Sequence, residues 1–330
     1  RHRPSQRDDA RQTLLEAAGM AAAASAWRRP AAPSPATRGD HRQPPELVAL
    51  CRSFDQIQAA LTTGVAAVYV DFEDLRRYPE AVALVRATAG TGAGRPLVYL
   101  ATPRIQKAGE QGFFQLIERA APDGVLVRNL GGIEYFRASA LRRVGDFSLN
   151  AANPVTARWL VEAGLERITV AYDLDARQVL DLLAAAPPGW FELTVHQHLP
   201  LFHMEHCVFA AFLSSGTDHT NCGRPCDRHQ VRLRDRVGAA HLLKADVGCR
   251  NTVYYARAQS GADFVGDFLA AGLRRFRVEL LDEDATRTAA VLHGYQALLA
   301  GNAVGGGPNW EKLNAVRQLG VTSGTLTVLG

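Results

Sequence analysis

The sequence has no apolar run of the ~18 residues needed to cross a bilayer, so no membrane span is expected. The stretch 14–27 is apolar but Ala-rich, lacks a Leu-rich centre and is broken by Glu16, so it does not read as a signal peptide. Charge of one sign is lacking too. Lys and Arg number 37 against 33 Asp and Glu, a net +4, and much of that excess precedes Glu46. The remaining body is close to neutral, which argues against a broad nucleic-acid surface but leaves room for a local basic groove. No Gly-rich dinucleotide fingerprint follows the first predicted strand. No Ser/His/Asp motif is found, and the spacing of His203-Met204-Glu205-His206 is not that of a zincin helix. Cysteine is sparse and odd in number, 5 in 330 residues. Without a signal peptide this argues against a disulfide framework and for a reducing, cytoplasmic setting. The chain opens on Arg1 rather than Met, as a fragment or the C-terminal part of a longer chain with a missing N-terminal region would.

What is present is organised in two parts. Residues 1–45 are rich in Ala, Arg and Pro without a steady period, and are expected to be disordered or a linker, with one short helix over 7–24. From Glu46, short apolar runs alternate with amphipathic stretches of ~10–15 residues. Strands are predicted at 46–51, 65–70, 96–101, 124–127, 146–149, 167–171, 191–195 and 274–279. Helices are predicted at 53–63, 79–89, 109–121, 132–144, 153–163, 175–185, 261–271 and 284–300, with Ser53 and Asn153 as N-caps and Pro154 in a first turn. The strands are apolar on both faces, as buried parallel strands are. Eight β/α units over 46–300 point to an α/β fold, a (β/α)8 TIM-like barrel. A Cys/His-rich insertion, 199–260, follows strand seven and contains a predicted hairpin of 229–234 and 240–245. Residues 301–330 are a Gly-rich C-terminal extension.

The insertion concentrates the chemistry. Cys207, Cys222, Cys226 and Cys249 follow a C-x14-C-x3-C-x22-C spacing. Thiolates are soft ligands that suit zinc or iron–sulfur centres, and loop cysteines a few residues apart wrap one centre while a distant fourth closes the shell. Gly223 and Pro225 favour a tight turn between two of them. The spacing lacks the paired C-x2-C knuckles of zinc ribbons and leaves zinc and iron–sulfur equally open. Cys51 ends the first strand, at the rim where barrel active sites sit. His196, His198, His203, His206 and His219 accompany the quartet, and histidine both binds metals and moves protons near neutral pH. His196 and His198 are expected to reach the barrel mouth. Glu192 opens the seventh strand inside an apolar run, and a buried carboxylate there needs a partner. Polar residues follow most of the other strands, among them Asp71, Glu73, Asp74, Arg104, Arg128 and Glu279, as the lining of a polar pocket would.

One stretch resembles the U32 peptidase family. It runs from Glu192-Leu193-Thr194-Val195 through Leu199-Pro200-Leu201-Phe202 to Glu205-His206-Cys207. Cys222 and Cys226, Leu233-Arg234-Asp235-Arg236-Val237-Gly238 and Asp246-Val247-Gly248-Cys249-Arg250-Asn251 continue it. The resemblance covers roughly 46–300 and is most specific over 207–251. It implies a (β/α) barrel. The family's name and collagenase-like label imply a peptidase, a hydrolase. Other branches imply oxygen-independent hydroxylation of an RNA base or of an aromatic small molecule, with a [4Fe–4S] cluster on four cysteines. Cys207, Cys222, Cys226 and Cys249 match those ligands, and one branch's N-terminal cysteine ligand keeps Cys51 in play. On this reading His196, His198, His203 and Glu192 are candidates for orienting substrate or moving protons. The partner is RNA, a small aromatic substrate or a peptide. A third expectation is a cluster-bearing partner subunit without catalysis of its own. The His-rich approach to Cys207 departs from the family pattern.

Overall fold

A computed structural model describes residues 44–88, 94–216, 220–302 and 321–327. The expected N-terminal tail and its helix, His219 and most of the C-terminal extension lie outside the described residues. The first seven strands are β1 (Glu46–Cys51), β2 (Ala67–Val70), β3 (Leu97–Ala101), β4 (Gly124–Val127), β5 (Arg142–Gly145), β6 (Arg167–Thr169) and β7 (Phe191–Gln197). The insertion adds β8 (Pro200–Met204), β9 (Val231–Arg234), β10 (Ala240–Asp246), β11 (Arg250–Tyr254) and β12 (Gln259–Ser260), and the chain returns to the barrel as β13 (Arg275–Glu279). Pairing runs in parallel from β1 through β7 to β13, and β13 pairs back onto β1. Eight parallel strands therefore close on themselves and leave no barrel edge.

The helices between these strands are α1 (Phe54–Thr63), α2 (Tyr78–Ala87), α3 (Gly112–Arg119), α4 (Leu130–Tyr135), α5 (Pro154–Glu162) and α6 (Ala176–Ala185). Further on come α7 (Val208–Leu213), α8 (Val265–Ala270) and α9 (Ala285–Asn302). The expected caps are in place. Ser53 Oγ accepts from the Gln56 amide at 3.2 Å, Asn153 Oδ1 accepts from Thr156 at 2.9 Å ahead of Pro154, and Asp175 and Gln178 form a capping box.

The period-2 alternation of strands sorts the core into two layers. Leu47, Ala49, Cys51, Val68, Val70, Val98 and Leu100 pack toward the helices, while Val48, Leu50, Tyr69, Tyr99, Leu126 and Val144 fill the interior. A Cβ at Gly124 would run into the Tyr99 ring, so only glycine lets that tyrosine fill the barrel.

Two expected elements differ. The helix predicted at 132–144 is only α4, with one further turn at Phe136–Ala138, and the fifth strand is Arg142–Gly145 rather than 146–149. Phe147–Leu149 is instead a 3-10 turn capped by Asp146. The strand escapes a sequence reading because it opens on two arginines and closes on a glycine. The apolar Phe147 and Leu149 imitate a strand beside it.

The insertion between β7 and β13 forms a separate antiparallel sheet of order β8-β11-β10-β9. The expected hairpin is β9–β10, whose turn is held by Asp235 Oδ1 accepting from the Val237 and Ala239 amides, both at 2.9 Å. β8 and β11 were not expected. Their residues are mixed polar and apolar, and β11 is buried along most of its length, Arg250 and Asn251 included.

Candidate active site and cysteine centre

Charges fill the barrel interior from within its strands up to their C-terminal ends. Arg277, in the middle of β13, is fully buried. Its guanidinium donates to Glu192 Oε1 at 2.7 Å, Asp146 Oδ1 at 2.6 Å, Glu279 Oε1 at 3.1 Å and Thr169 Oγ1 at 2.6 Å. The Tyr69 hydroxyl donates to the other Glu192 oxygen at 2.8 Å. Arg128 donates to both oxygens of Asp71, at 2.6 and 3.0 Å, and to Asp146 at 2.8 Å. Arg52 reaches Asp71 at 3.2 Å and Glu279 at 3.4 Å. Burial alone would push the Asp71 carboxyl up, but Arg128 and Arg52 overcome it and hold it down at about 2. Such a network is costly to desolvate and stands only because its members are paired.

Above it lies a cavity of about 670 Å³, in the range that takes one small ligand. Its floor and walls are the residues that follow the barrel strands: Arg52, Asp71, Glu73, Arg104, Arg128, Phe147 and Glu279. Its roof is the insertion sheet, through Lys244, Asp246, Thr252 and Tyr254, and the cysteine loop, through Arg224, Cys226 and Asp227. Arg104 lies over the Phe147 ring, 5.4 Å from its centroid. Glu73 is pushed up to about 7, first by desolvation against the wall, then by the charges of Asp227 and Asp246, against the pull of Lys244 and Arg224.

The insertion sheet brings the segments that carry the cysteines toward one of its ends. Asn251 of β11 pairs with Met204 of β8, and Asp246 of β10 pairs with Arg250, so β8 ends, β10 ends and β11 begins at one end of the sheet. Cys207 follows β8 at that end, Cys249 immediately precedes β11, and the loop carrying Cys222 and Cys226 leads into β9. Cys207 and Cys226 pack against the same small core of Phe209, Leu243 and Val253. Cys207 Sγ accepts from the Ala210 amide at 3.4 Å and faces Asn251 Nδ2 at 4.0 Å. Left-handed backbone brackets the other three: Gly223 and Arg224 lie between Cys222 and Cys226, and Gly248 leads into Cys249, which itself has φ 60°. A cysteine in that region stores strain of ~1–3 kcal/mol, a cost that tends to persist at functional sites. None of the five cysteines is in a disulfide. Partial burial, then Asp227, Glu73 and Cys207, push the Cys226 thiol up to about 11.

The other expected residues are not drawn to one point. Glu192 lies within the barrel network rather than on the cavity wall. The expectation that His196 reaches the mouth is corrected. A bulge between the β7–β13 register pairs Arg277↔Thr194 and Val278↔His196 turns it outward, where its Nδ1 lies 3.3 Å from the Tyr295 hydroxyl of α9. His198 also lies off the cavity wall, beside Glu283 and the Tyr255 carbonyl. His203 Nδ1 lies 2.8 Å from the Thr252 hydroxyl, and Thr252 lines the cavity. Cys51 is fully buried in the layer under the helices, where burial raises its thiol. Sequence reasoning missed Arg277, Arg52, Asp146 and the roof residues Lys244, Asp246 and Tyr254. Arg277 left no clear signal, because β13 reads Arg275-Phe276-Arg277-Val278-Glu279 and three of its five residues are charged.

Fold and site together define a (β/α)8 barrel whose mouth is roofed by a cysteine-bearing antiparallel sheet. The profile of peptidase family U32 matches residues 52–324, and the chain belongs to that family. No curated protein matches. Among solved structures, the U32 peptidase Mk0906 is 12% identical over 73% of this chain and 94% of its own, at a TM-score of 0.41. A thiamine phosphate pyrophosphorylase from Pyrococcus furiosus is 9% identical over 83% of this chain and 94% of its own, at 0.39. A dihydrodipicolinate synthase from Agrobacterium tumefaciens is 13% identical over 83% and 79%, at 0.41. The barrel is established by its strand pairing and does not rest on these likenesses.

Proposed function

We propose that this protein carries a [4Fe–4S] cluster on Cys207, Cys222, Cys226 and Cys249, and takes part in oxygen-independent hydroxylation of an RNA base or an aromatic small molecule. The observation that carries the proposal is the shared wall. Cys226 belongs to the cysteine-bearing end of the sheet and also lines the cavity over the barrel mouth. A redox centre held there borders the place where a substrate would sit. Thiolates suit both zinc and iron–sulfur centres, and it is the likeness of this cysteine pattern to the cluster-bearing branches of the family that favours a cluster. Amide donors at Cys207 are of the kind that tune cluster potentials. When bound, the cluster would supply one-electron transfer.

The chain's own groups support the substrate class. Phe54, Phe72, Phe147 and Tyr254 give the cavity aromatic faces, and Arg104 and Lys244 give it positive charge with no salt bridge among the described residues. Glu73, poised at about 7, is placed to hold or release a proton there. The peptidase reading has less to stand on. No histidine lines the cavity among the described residues, and its one thiol is raised to about 11, away from an activated nucleophile.

Protein purified without oxygen should hold about four irons per chain and show a broad visible absorbance. Cys222→Ala with Cys226→Ala should abolish both. A colourless wild-type protein with one zinc would sink the cluster. Nucleosides from a deletion strain should lack one hydroxylated base. Intact RNA modification would remove RNA and leave the aromatic small molecule.

A further inference from the structure

We propose a second metal site, for a divalent cation that prefers nitrogen and oxygen, at the end of β7, formed by His198, Asp282 and Glu283. Ligand atoms of His198, Asp282 and Glu283 all lie within 4.8 Å of one another. Hydrogen bookkeeping shows what each imidazole presents. His198 Nδ1 lies 2.7 Å from the Tyr255 carbonyl, which can only accept, so Nδ1 carries the hydrogen and Nε2 the lone pair. That lone pair faces Glu283 Oε1 at 3.7 Å, too far for a hydrogen bond. A ring nitrogen fixed by a backbone carbonyl, with its partner nitrogen turned toward carboxylates, is how metal-binding histidines are oriented.

A second observation comes from the neighbouring strand position. The Tyr295 hydroxyl donates to the Val195 carbonyl at 2.9 Å, so its oxygen accepts from His196 Nδ1 at 3.3 Å. His196 Nε2 is then also a bare lone pair. It is buried, with the residue 2% exposed, and has no hydrogen-bond partner. The His198 imidazole with its lone pair toward two carboxylates forms a donor set for Zn²⁺, Mn²⁺ or Fe²⁺. Asp282 provides the open side, and its other role is a 2.7 Å pair with Arg232 of β9. A cation here would clip the point where the chain leaves the barrel for the insertion onto the turn after β13. The competing occupant is a proton on His198, which makes the group an ordinary ion pair.

Mn²⁺ is the probe, because thiolates bind it poorly and the cysteines will not mask the result. It is titrated into the full chain purified without oxygen, and free Mn²⁺ is read by electron paramagnetic resonance. One ion per chain should bind. His198→Ala and Glu283→Gln should each weaken it by about tenfold or more. Cys222→Ala with Cys226→Ala, and separately Glu73→Gln, should leave it unchanged. No binding to wild type would overturn the proposal. So would loss on Glu73→Gln with retention in His198→Ala, since Glu73, Cys226 and Asp227 also converge. If His198→Ala does not fold, His198→Gln keeps the bulk. The Mn²⁺-dependent rise in thermal midpoint should then be present in wild type and absent in that variant, and a rise that persists overturns the site. Iron content and visible absorbance are read on the same samples, so the cluster and this site stand or fall separately.

Discussion

The barrel interior and the insertion sheet treat charge and apolar surface in opposite ways. Inside the barrel, Arg277 is sealed with Asp146 and Glu192, Arg128 and Arg52 pair with Asp71 and Glu279 at the cavity floor, and the apolar side chains around them are buried. In the insertion, the separate apolar cluster among the described residues is Phe209, Leu243 and Val253. Phe202 and Phe212 are 59% and 80% exposed. The barrel has what it needs to hold its own shape. The insertion has a far smaller apolar cluster of its own, and its cysteine turns hold left-handed backbone at Arg224 and Cys249 at a cost. A bound centre at the cysteines, and a second cation at the seam, would supply what its core lacks.

The largest expected effect lies in the barrel. Arg277→Met removes the cation that Asp146 and Glu192 share and leaves both carboxylates buried. Breaking a buried pair in this way costs about 3–5 kcal/mol. Urea denaturation should show the whole barrel transition move to lower denaturant, with a loss of that size. A loss below about 1 kcal/mol would mean that water reaches the network and that the contrast drawn here is wrong.

The same contrast governs what could be read from sequence. Buried parallel strands are apolar on both faces, so β1, β3 and β4 announce themselves within a residue or so. β5 does not, because Arg142 and Arg143 start it and Gly145 ends it. The insertion's β8 and β11 carry mixed residues whose pairing is long-range, so neither has a local signature. In the site, the polar strand ends pointed to a pocket, and Asp71, Glu73, Asp74, Arg104, Arg128 and Glu279 do line it. Which acid meets which arginine depends on barrel closure, which brings Arg277 of the last strand beside Asp146, 131 residues earlier. His196 illustrates the limit most sharply. A single bulge reversed its facing, and a bulge here has no residue signal.

A middle-sized effect separates two carboxylates at the barrel mouth by the sign of their pH dependence. The folded state holds Asp71 at about 2, below its unfolded value. Its contribution, on the order of 2 kcal/mol, is therefore complete above about pH 4 and lost as pH falls toward 2. Glu73 is raised to about 7, so its contribution is present below its ordinary value and disappears as pH rises through 7. Denaturant midpoints followed from pH 2 to pH 8 should fall at the acid end for wild type and flatten there in Asp71→Asn. Glu73→Gln should change the slope only between about pH 4.5 and 7. Identical profiles for the two variants would show that the two carboxyls share one environment.

The smallest effect concerns the link between the two regions. Arg232 and Asp282 form a 2.7 Å pair across the seam, with side chains 42% and 28% exposed. Pairs this open contribute about 0.2–1 kcal/mol, because water screens them and ordering two side chains costs entropy. A double-mutant cycle of Arg232→Gln and Asp282→Asn, measured with a chelator present, should return a coupling in that range. The insertion would then be seated mainly by packing and by the Arg250–Glu110 pair at 2.9 Å, with side chains 2% and 22% exposed. A coupling above about 2 kcal/mol would instead make the seam a buried electrostatic joint like those inside the barrel. The difference between the two regions would then be one of degree.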